Sequence, residues 1–387
     1  MKTRTFIGFG LGPIQSGLFL FEAFRSQNFA RYVVAEIDPA LVEAVRSGGG
    51  IISVNIAHAD RIESAEISGI EILNPREPRD RDELIAAIAC ADEIATALPS
   101  VAFYDRGDAA SAVSCLADGF VRRDAKKQAV IYTAENDTRA AEHLANHLGE
   151  KLPTSFQILN TVIGKMSGGV TGSEAIKRLG LVPMTTDYGR AVLVEAFNRI
   201  QISKIHLPDF QRGISVFEEK ENLGPFEDAK LYGHNAVHAL LGYLAHERNL
   251  ATMDQVRSYK KLQGIARGAF LEECGAGLRK KHADADPLFS EAGWTSYADD
   301  LLIRMTNPFL RDSIARVIRD PQRKLGWDDR LIGAMRLALA AGVKPERLSR
   351  GARIAMKFGN ISDVRNLWPE QIRNAGEADE VVALLGE

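Results

Sequence analysis

The stretch Thr5-Phe6-Ile7-Gly8-Phe9-Gly10-Leu11-Gly12-Pro13-Ile14-Gln15 decides the fold of this chain. A short apolar strand runs into closely spaced glycines, and a helical pattern follows from Ile14 to Arg25. Glycines in such a turn let the backbone bend tightly and approach a pyrophosphate. The helix N-terminus then offers free N–H groups and a positive dipole end to that anion. The spacing is GxGxG rather than GxGxxG, with Pro13 at the usual third position. The next strand, Tyr32-Val33-Val34-Ala35, ends on Glu36. A carboxylate there accepts hydrogen bonds from the adenosine ribose hydroxyls and repels a 2′-phosphate, which favours NAD over NADP. Asp38 is placed to share that role. Strand, glycine turn, helix and acid together predict an NAD site with Gly8, Gly10, Gly12, Glu36 and Asp38 as cofactor-binding residues. The plainer alternative is a tight turn followed by a solvated acid.

Working outward, Pro39 to Arg46 reads as a second helix. Glu93–Leu98, Ala129–Thr133 and Phe156–Leu159 read as later strands. Strand and helix alternate, which argues for a parallel, doubly wound sheet of Rossmann type. From about Val192 the pattern changes. Ala229–Glu247, Met253–Ala276, Tyr297–Met305 and Asp328–Ala341 follow a helical period, and strand signals become rare. The expected organisation is an α/β NAD-binding domain over residues 1–190 and a mostly α-helical substrate and catalytic domain over residues 191–387.

Composition narrows the function. Lys and Arg number 48 against 51 Asp and Glu, so no basic surface asks for nucleic acid. The three cysteines, Cys90, Cys115 and Cys274, are far apart and form no CxxC pair, which argues against a disulfide framework or a Cys-based metal site. The N-terminus lacks a signal-peptide pattern, and no run approaches 18 apolar residues. A reducing cytoplasm and no membrane partner are expected; nothing in the sequence reports an oligomeric state.

The chemistry-bearing segment is Phe226-Glu227-Asp228-Ala229-Lys230-Leu231-Tyr232-Gly233-His234-Asn235-Ala236-Val237-His238, unusually polar for the start of a long apolar helix. On a regular α-helix Lys230, Asn235 and His238 lie at about 0°, 140° and 80°, on one side. A lysine in a low-dielectric cleft has its charged form disfavoured and can act as a base near neutral pH. Asn235 can donate an amide N–H to a developing alkoxide oxygen. His238 can bind a substrate hydroxyl, and Glu227 can relay the proton. Taken singly, each has a bland reading: a solvated lysine, a helix-entry asparagine, a satisfied core histidine.

Lys230-x4-Asn235-x2-His238 resembles the KxxxxNxxH signature of the polyol-specific long-chain dehydrogenases, the mannitol dehydrogenase family. Gly242-Tyr243-Leu244 and Arg304–Asp312 are similar to further family segments, the latter to RFxNPxLxD. Arg316 and Lys324, eight apart, match the family's substrate-recognising Arg and Lys. Thr96-Ala97-Leu98-Pro99-Ser100 and Glu135-Asn136 are similar to segments that line the nicotinamide side. The resemblance therefore implies Thr96, Leu98 and Glu135 as cofactor residues. It implies Asn136, with Asn235, as an oxyanion hole, a metal-free lysine base, and a small-molecule polyol or sugar phosphate as substrate. The departures are Gly8–Gln15, where the phosphate-using branch has GAGNIGRG, and Ile163-Gly164-Lys165-Met166, where the family has VDRI.

Arg323 beside Lys324, with Arg319 near, suits a terminal phosphate, since Arg binds phosphate bidentately. A solvated basic loop is the alternative, and a non-phosphorylated polyol or a sugar acid would use the same arginine. Two rival functions stay open: an opine-type or hydroxy-acid dehydrogenase, and a non-catalytic NAD-binding sensor.

Overall fold

The computed structural model describes residues 4–373 and 375–386. The chain divides into two compact units, one running to Leu223 and one from Gly224 onward.

The first unit is built on a six-stranded sheet. Its strands are β1 (Thr5–Phe9), β2 (Arg31–Ala35), β3 (Ile70–Leu73), β4 (Glu93–Thr96), β5 (Ala129–Thr133) and β6 (Phe156–Leu159). Every pairing is parallel, and the spatial order is β3-β2-β1-β4-β5-β6. That is the order of doubly wound dinucleotide-binding sheets, in which the crossover direction reverses between the first and fourth strands. Three of the six strands, β1, β4 and β5, are buried at every residue, as a sheet covered on both faces requires. The helix after β1 opens with a wide π-helical turn, Gln15–Leu20, before the α-helix Phe21–Ser26.

A second sheet was not foreseen. Ser167–Thr171, Arg190–Glu195, Ile52–Ala57 and Ile62–Ile67 form it in that order. The strand Ile62–Ile67 reads IESAEI, with too few apolar residues to announce itself. This sheet explains why the first unit ends some way beyond the residue-190 boundary expected from periodicity. Arg190–Glu195 pairs with Ile52–Ala57, so the chain after residue 190 completes a sheet started much earlier. Ile200, Ile202, Ile214 and Phe217 are buried in the same core as Phe6, Phe19 and Tyr132. The Glu93 carboxylate, buried in β4, accepts the Tyr132 hydroxyl at 2.9 Å and the backbone N–H of Gly213.

The second unit is helical. Its core gathers Leu240, Leu244, Phe270, Trp294, Leu331 and Trp368 among others. The expected segment 229–247 comprises a π-helical turn, Ala229–Asn235, and an α-helix, Ala236–His246. Arg330–Ala340 and Glu291–Met305 are further helices. Among the described residues no helix is long and apolar enough to cross a membrane.

Gly17 fixes the helix behind the glycine turn against the second sheet, since a Cβ there would lie 2.4 Å from Val194 Cγ1. Gly17→Ala should therefore cost about 1–3 kcal/mol through overpacking. Thermal melting should show Tm lower by roughly 2–4 °C per kcal/mol.

Candidate active site

In the first unit, a cleft of about 460 Å³ opens at the carboxyl ends of the strands where the sheet order reverses. That is where open α/β sheets bind ligands. Gly10, Leu11, Gly12, Pro13 and Ile14 form one wall, and Ala97, Leu98 and Pro99 another. Gly10 has φ +80°, a left-handed conformation that favours glycine, and its absent Cβ leaves room for the Ala97 carbonyl. Gly12 has no atom within 4 Å of where a Cβ would stand, so it faces open cleft. These residues fit a pyrophosphate cradle.

The other expected cofactor residues separate by position. Gly8 sits inside β1, and its missing Cβ makes room for the buried Gln15 side chain; it packs rather than lining the cleft. Glu36 lines the cleft, and its carboxylate also accepts the Leu11 N–H at 2.8 Å and the Ile37 and Asp38 N–H groups at 2.7 and 3.0 Å. Asp38 is the N-cap of the helix Pro39–Ser47 and accepts the Tyr188 hydroxyl at 2.7 Å, so capping rather than a share in the ribose occupies it. Thr96 is fully buried and donates to Glu135 at 2.9 Å. Glu135 also takes the Leu98 N–H at 2.8 Å and the Tyr104 hydroxyl. Burial and the Glu135 charge both push the Tyr104 phenol up, keeping it a donor. Thr96 and Glu135 thus position the Leu98 wall instead of lining the cleft. Asn136 is exposed on the loop after β5. At the departing segment 163–166, Lys165 is buried, with its ammonium on the Phe197 carbonyl at 2.9 Å and Asn198 Oδ1 at 2.6 Å.

In the second unit, the π-helical turn changes the geometry of the polar cluster. With i→i+5 bonding, residues five apart fall one turn apart. Lys230 and Asn235 therefore stack on one side, more closely than a regular α-helix would bring them. His238, three residues further along the α-helix, is their neighbour on that face. The wide turn packs Gly233 against Trp294 and Tyr232 against Gly333, where a Cβ would lie 2.3 Å from the Tyr232 ring. Burial pushes the Lys230 amine down to about 8; the Glu227 carboxylate opposes this and the Arg330 guanidinium adds to it. His234, buried on the same turn, is driven well below its ordinary value by burial and by neighbouring cations, so it is neutral.

Asp312, which no motif singled out for a role, joins the substrate candidates. Its buried carboxylate lies 3.3 Å from His238 Nε2 and 2.6 Å from Arg316 Nε. Burial acts to raise the carboxyl, but bonds from His238 and Arg316 outweigh it and hold Asp312 at about 2. Gly242 and Tyr243 dock the Arg316 helix: a Cβ on Gly242 would lie 2.5 Å from Val317, and the Tyr243 hydroxyl donates to the Ile318 carbonyl at 3.0 Å. Arg323 is exposed and bonded to Asp320 at 2.8 Å. Lys324 is buried with its amine on the Arg319 carbonyl, and burial with Arg330 and Arg323 lowers it to about 8. Arg330 was also overlooked. It lies in the stretch Asp329-Arg330-Leu331-Ile332, and its charge acts on both Lys230 and Lys324.

Asp312 makes acid stability testable. Its folded pKa lies below the unfolded value, so its contribution is complete above about pH 4 and disappears as pH falls toward 2. The shift corresponds to about 2 kcal/mol. Asp312→Asn should flatten that part of the stability curve in urea titrations between about pH 5 and 2, while an unchanged slope would place the ion pairs elsewhere.

Comparison with known proteins follows the same division. Residues 222–367 match the mannitol dehydrogenase C-terminal domain. The chain is 28% identical over 394 residues to the mannitol-1-phosphate 5-dehydrogenase of Geobacillus thermodenitrificans (strain NG80-2), covering 98% of this chain and 94% of that one. It is 26% identical over 364 residues to the enzyme of the same name from Aureobasidium melanogenum, covering 93% and 88%. Its fold is similar to substrate-free D-sorbitol dehydrogenase, with TM-score 0.73, 13% identity, and coverage of 91% and 79%. It is also similar to Pseudomonas fluorescens mannitol 2-dehydrogenase, solved with NAD and D-mannitol, with TM-score 0.71, 14% identity, and coverage of 99% and 90%.

Proposed function

We propose that this chain, which carries a mannitol dehydrogenase C-terminal domain behind a doubly wound dinucleotide sheet, is an NAD-dependent oxidoreductase. Its substrate is an acyclic polyol or polyol phosphate, oxidised reversibly at a secondary alcohol; the nearest named activity is that of its mannitol-1-phosphate 5-dehydrogenase relatives. What supports this is the Lys230 amine, lowered by burial to about 8 on the same turn as Asn235.

Each unit has its task. The glycine turn, Glu36 and the Leu98 wall hold NAD, which when bound accepts the hydride from the alcohol carbon. Neutral Lys230 takes the hydroxyl proton as the hydride leaves, and Glu227 passes it on. Asn235 donates to the oxygen on which charge develops, a role that the resemblance also implies for Asn136. His238 and Arg316, both oriented by Asp312, hold the rest of the substrate, with Arg323 and Lys324 at its far end. Five basic residues in 316–330 (Arg316, Arg319, Arg323, Lys324, Arg330) favour an anionic terminus such as phosphate. A non-phosphorylated polyol is the second reading, because Arg323 and Lys324 already have partners in Asp320 and the Arg319 carbonyl.

Following NADH consumption over ketoses, ketose phosphates and keto acids separates these readings. Reduction of ketose phosphates with kcat/KM at least about tenfold above the parent ketoses supports the phosphate. NADH binding without reduction of any ketose would leave a nucleotide-binding sensor. Lys230→Ala should lower kcat by about 10²–10⁴-fold while NADH still binds, and near-full activity would sink the lysine mechanism. Alcohol oxidation should rise with pH and level off above about pH 8, because the base is the deprotonated amine, whereas ketone reduction should fall over the same range.

A further inference from the structure

The cleft carries more positive charge than its glycine turn and Glu36 foretell. Three arginines, Arg76, Arg106 and Arg190, line the cleft against two acids, Glu36 and Asp108. Arg76 follows β3, beside the end of β2 that bears Glu36. Arg190 comes from the second sheet, at the first residue of the strand Arg190–Glu195. Its placement is built into the chain. Gly169 on the neighbouring strand leaves room for the guanidinium, since a Cβ there would lie 2.9 Å from Arg190 Nε. Tyr188, two residues before, bonds Asp38 at 2.7 Å, which ties this segment to the loop after Glu36.

Glu36 is also a weaker barrier to an anion than a bare carboxylate. Both its oxygens already accept main-chain N–H groups, from Leu11 on one side and from Ile37 and Asp38 on the other. Those dipoles point their positive ends at the carboxylate and offset part of its field. Asp38, the other acid nearby, is taken up by its helix cap and by Tyr188.

We propose that Arg190, together with Arg76, receives the 2′-phosphate of an adenine dinucleotide, so that this cleft binds NADPH as well as NADH. This rests on the reading of the cleft as a nucleotide site. Arg190 is then a specificity-determining residue that the β2 acid alone would not reveal. A guanidinium meets a phosphate through paired, charge-assisted hydrogen bonds, which a ribose hydroxyl cannot match.

Calorimetric titration of the full chain with NADH and NADPH tests this without any knowledge of the substrate. The two dissociation constants should agree within about tenfold at low salt, and NADPH should weaken more steeply as salt is raised. Arg190→Ala should weaken NADPH by about 10–100-fold and NADH by less than about threefold. Arg190→Lys, which keeps the charge and loses the fork, should fall between, and a preserved melting temperature in both variants excludes misfolding. An NADPH affinity more than about 100-fold below that of NADH in the native chain overturns the proposal, as does an equal loss of both nucleotides in Arg190→Ala. Binding of neither nucleotide would overturn it too, by removing the nucleotide site beneath it. Failure of every polyol and ketose assay with nucleotide binding intact would count against the proposed reaction alone.

Discussion

The helical unit depends on taking one primary amine largely out of water. A charged ammonium resists burial, and its ionisation falls until the neutral form is accessible near neutral pH. For Lys230 the surroundings are arranged to that end. Burial supplies most of the shift, Arg330 adds repulsion, and the Glu227 charge limits the fall to about 8. The wide turn that carries Lys230 is held by close packing at glycines, with Trp294 over Gly233 and Tyr232 over Gly333. The same turn brings Asn235 into line with the amine, so one backbone irregularity sets the position of both side chains.

Carboxylates bonded to main chain or to cations recur as the fixing device in both units. Glu36 pins the glycine turn through the Leu11 N–H, and Glu135 pins the opposite wall through the Leu98 N–H. Glu93 pins the 213–214 loop to the sheet, and Asp312 holds His238 and Arg316 together. Such bonds are stronger than neutral ones and directional. The Glu36 and Glu135 bonds join segments well apart in sequence and brace two walls of the cleft.

Much of this was legible beforehand. The strand, glycine turn and acid at residues 5–36 announce the parallel sheet, because tight turns and buried strands need particular residues locally. The spacing Lys230-x4-Asn235-x2-His238 marks a polar face of the helical unit, because helical periodicity is a local property. The second sheet was hidden, since Ile62–Ile67 and Ser167–Thr171 are poor in apolar residues and pair with distant partners. The boundary at Leu223 was hidden for a related reason: the strands after residue 190 serve a core laid down earlier in the chain.

By itself, then, the sequence determined the dinucleotide-type sheet, the helical second half and the lysine-bearing face, because backbone preference and side-chain period act over a few residues. Only the tertiary structure decided what each polar group does. It made Gly8 a packing residue, Asp38 a helix cap, and Thr96 and Glu135 supports for a wall. It brought Asp312 between His238 and Arg316, and placed Arg190 in a cleft whose other walls begin at residue 9. Those outcomes depend on which groups meet across long stretches of chain and how much water remains between them. Charge, hydrogen bonding and pKa follow from that proximity, and sequence spacing does not encode it.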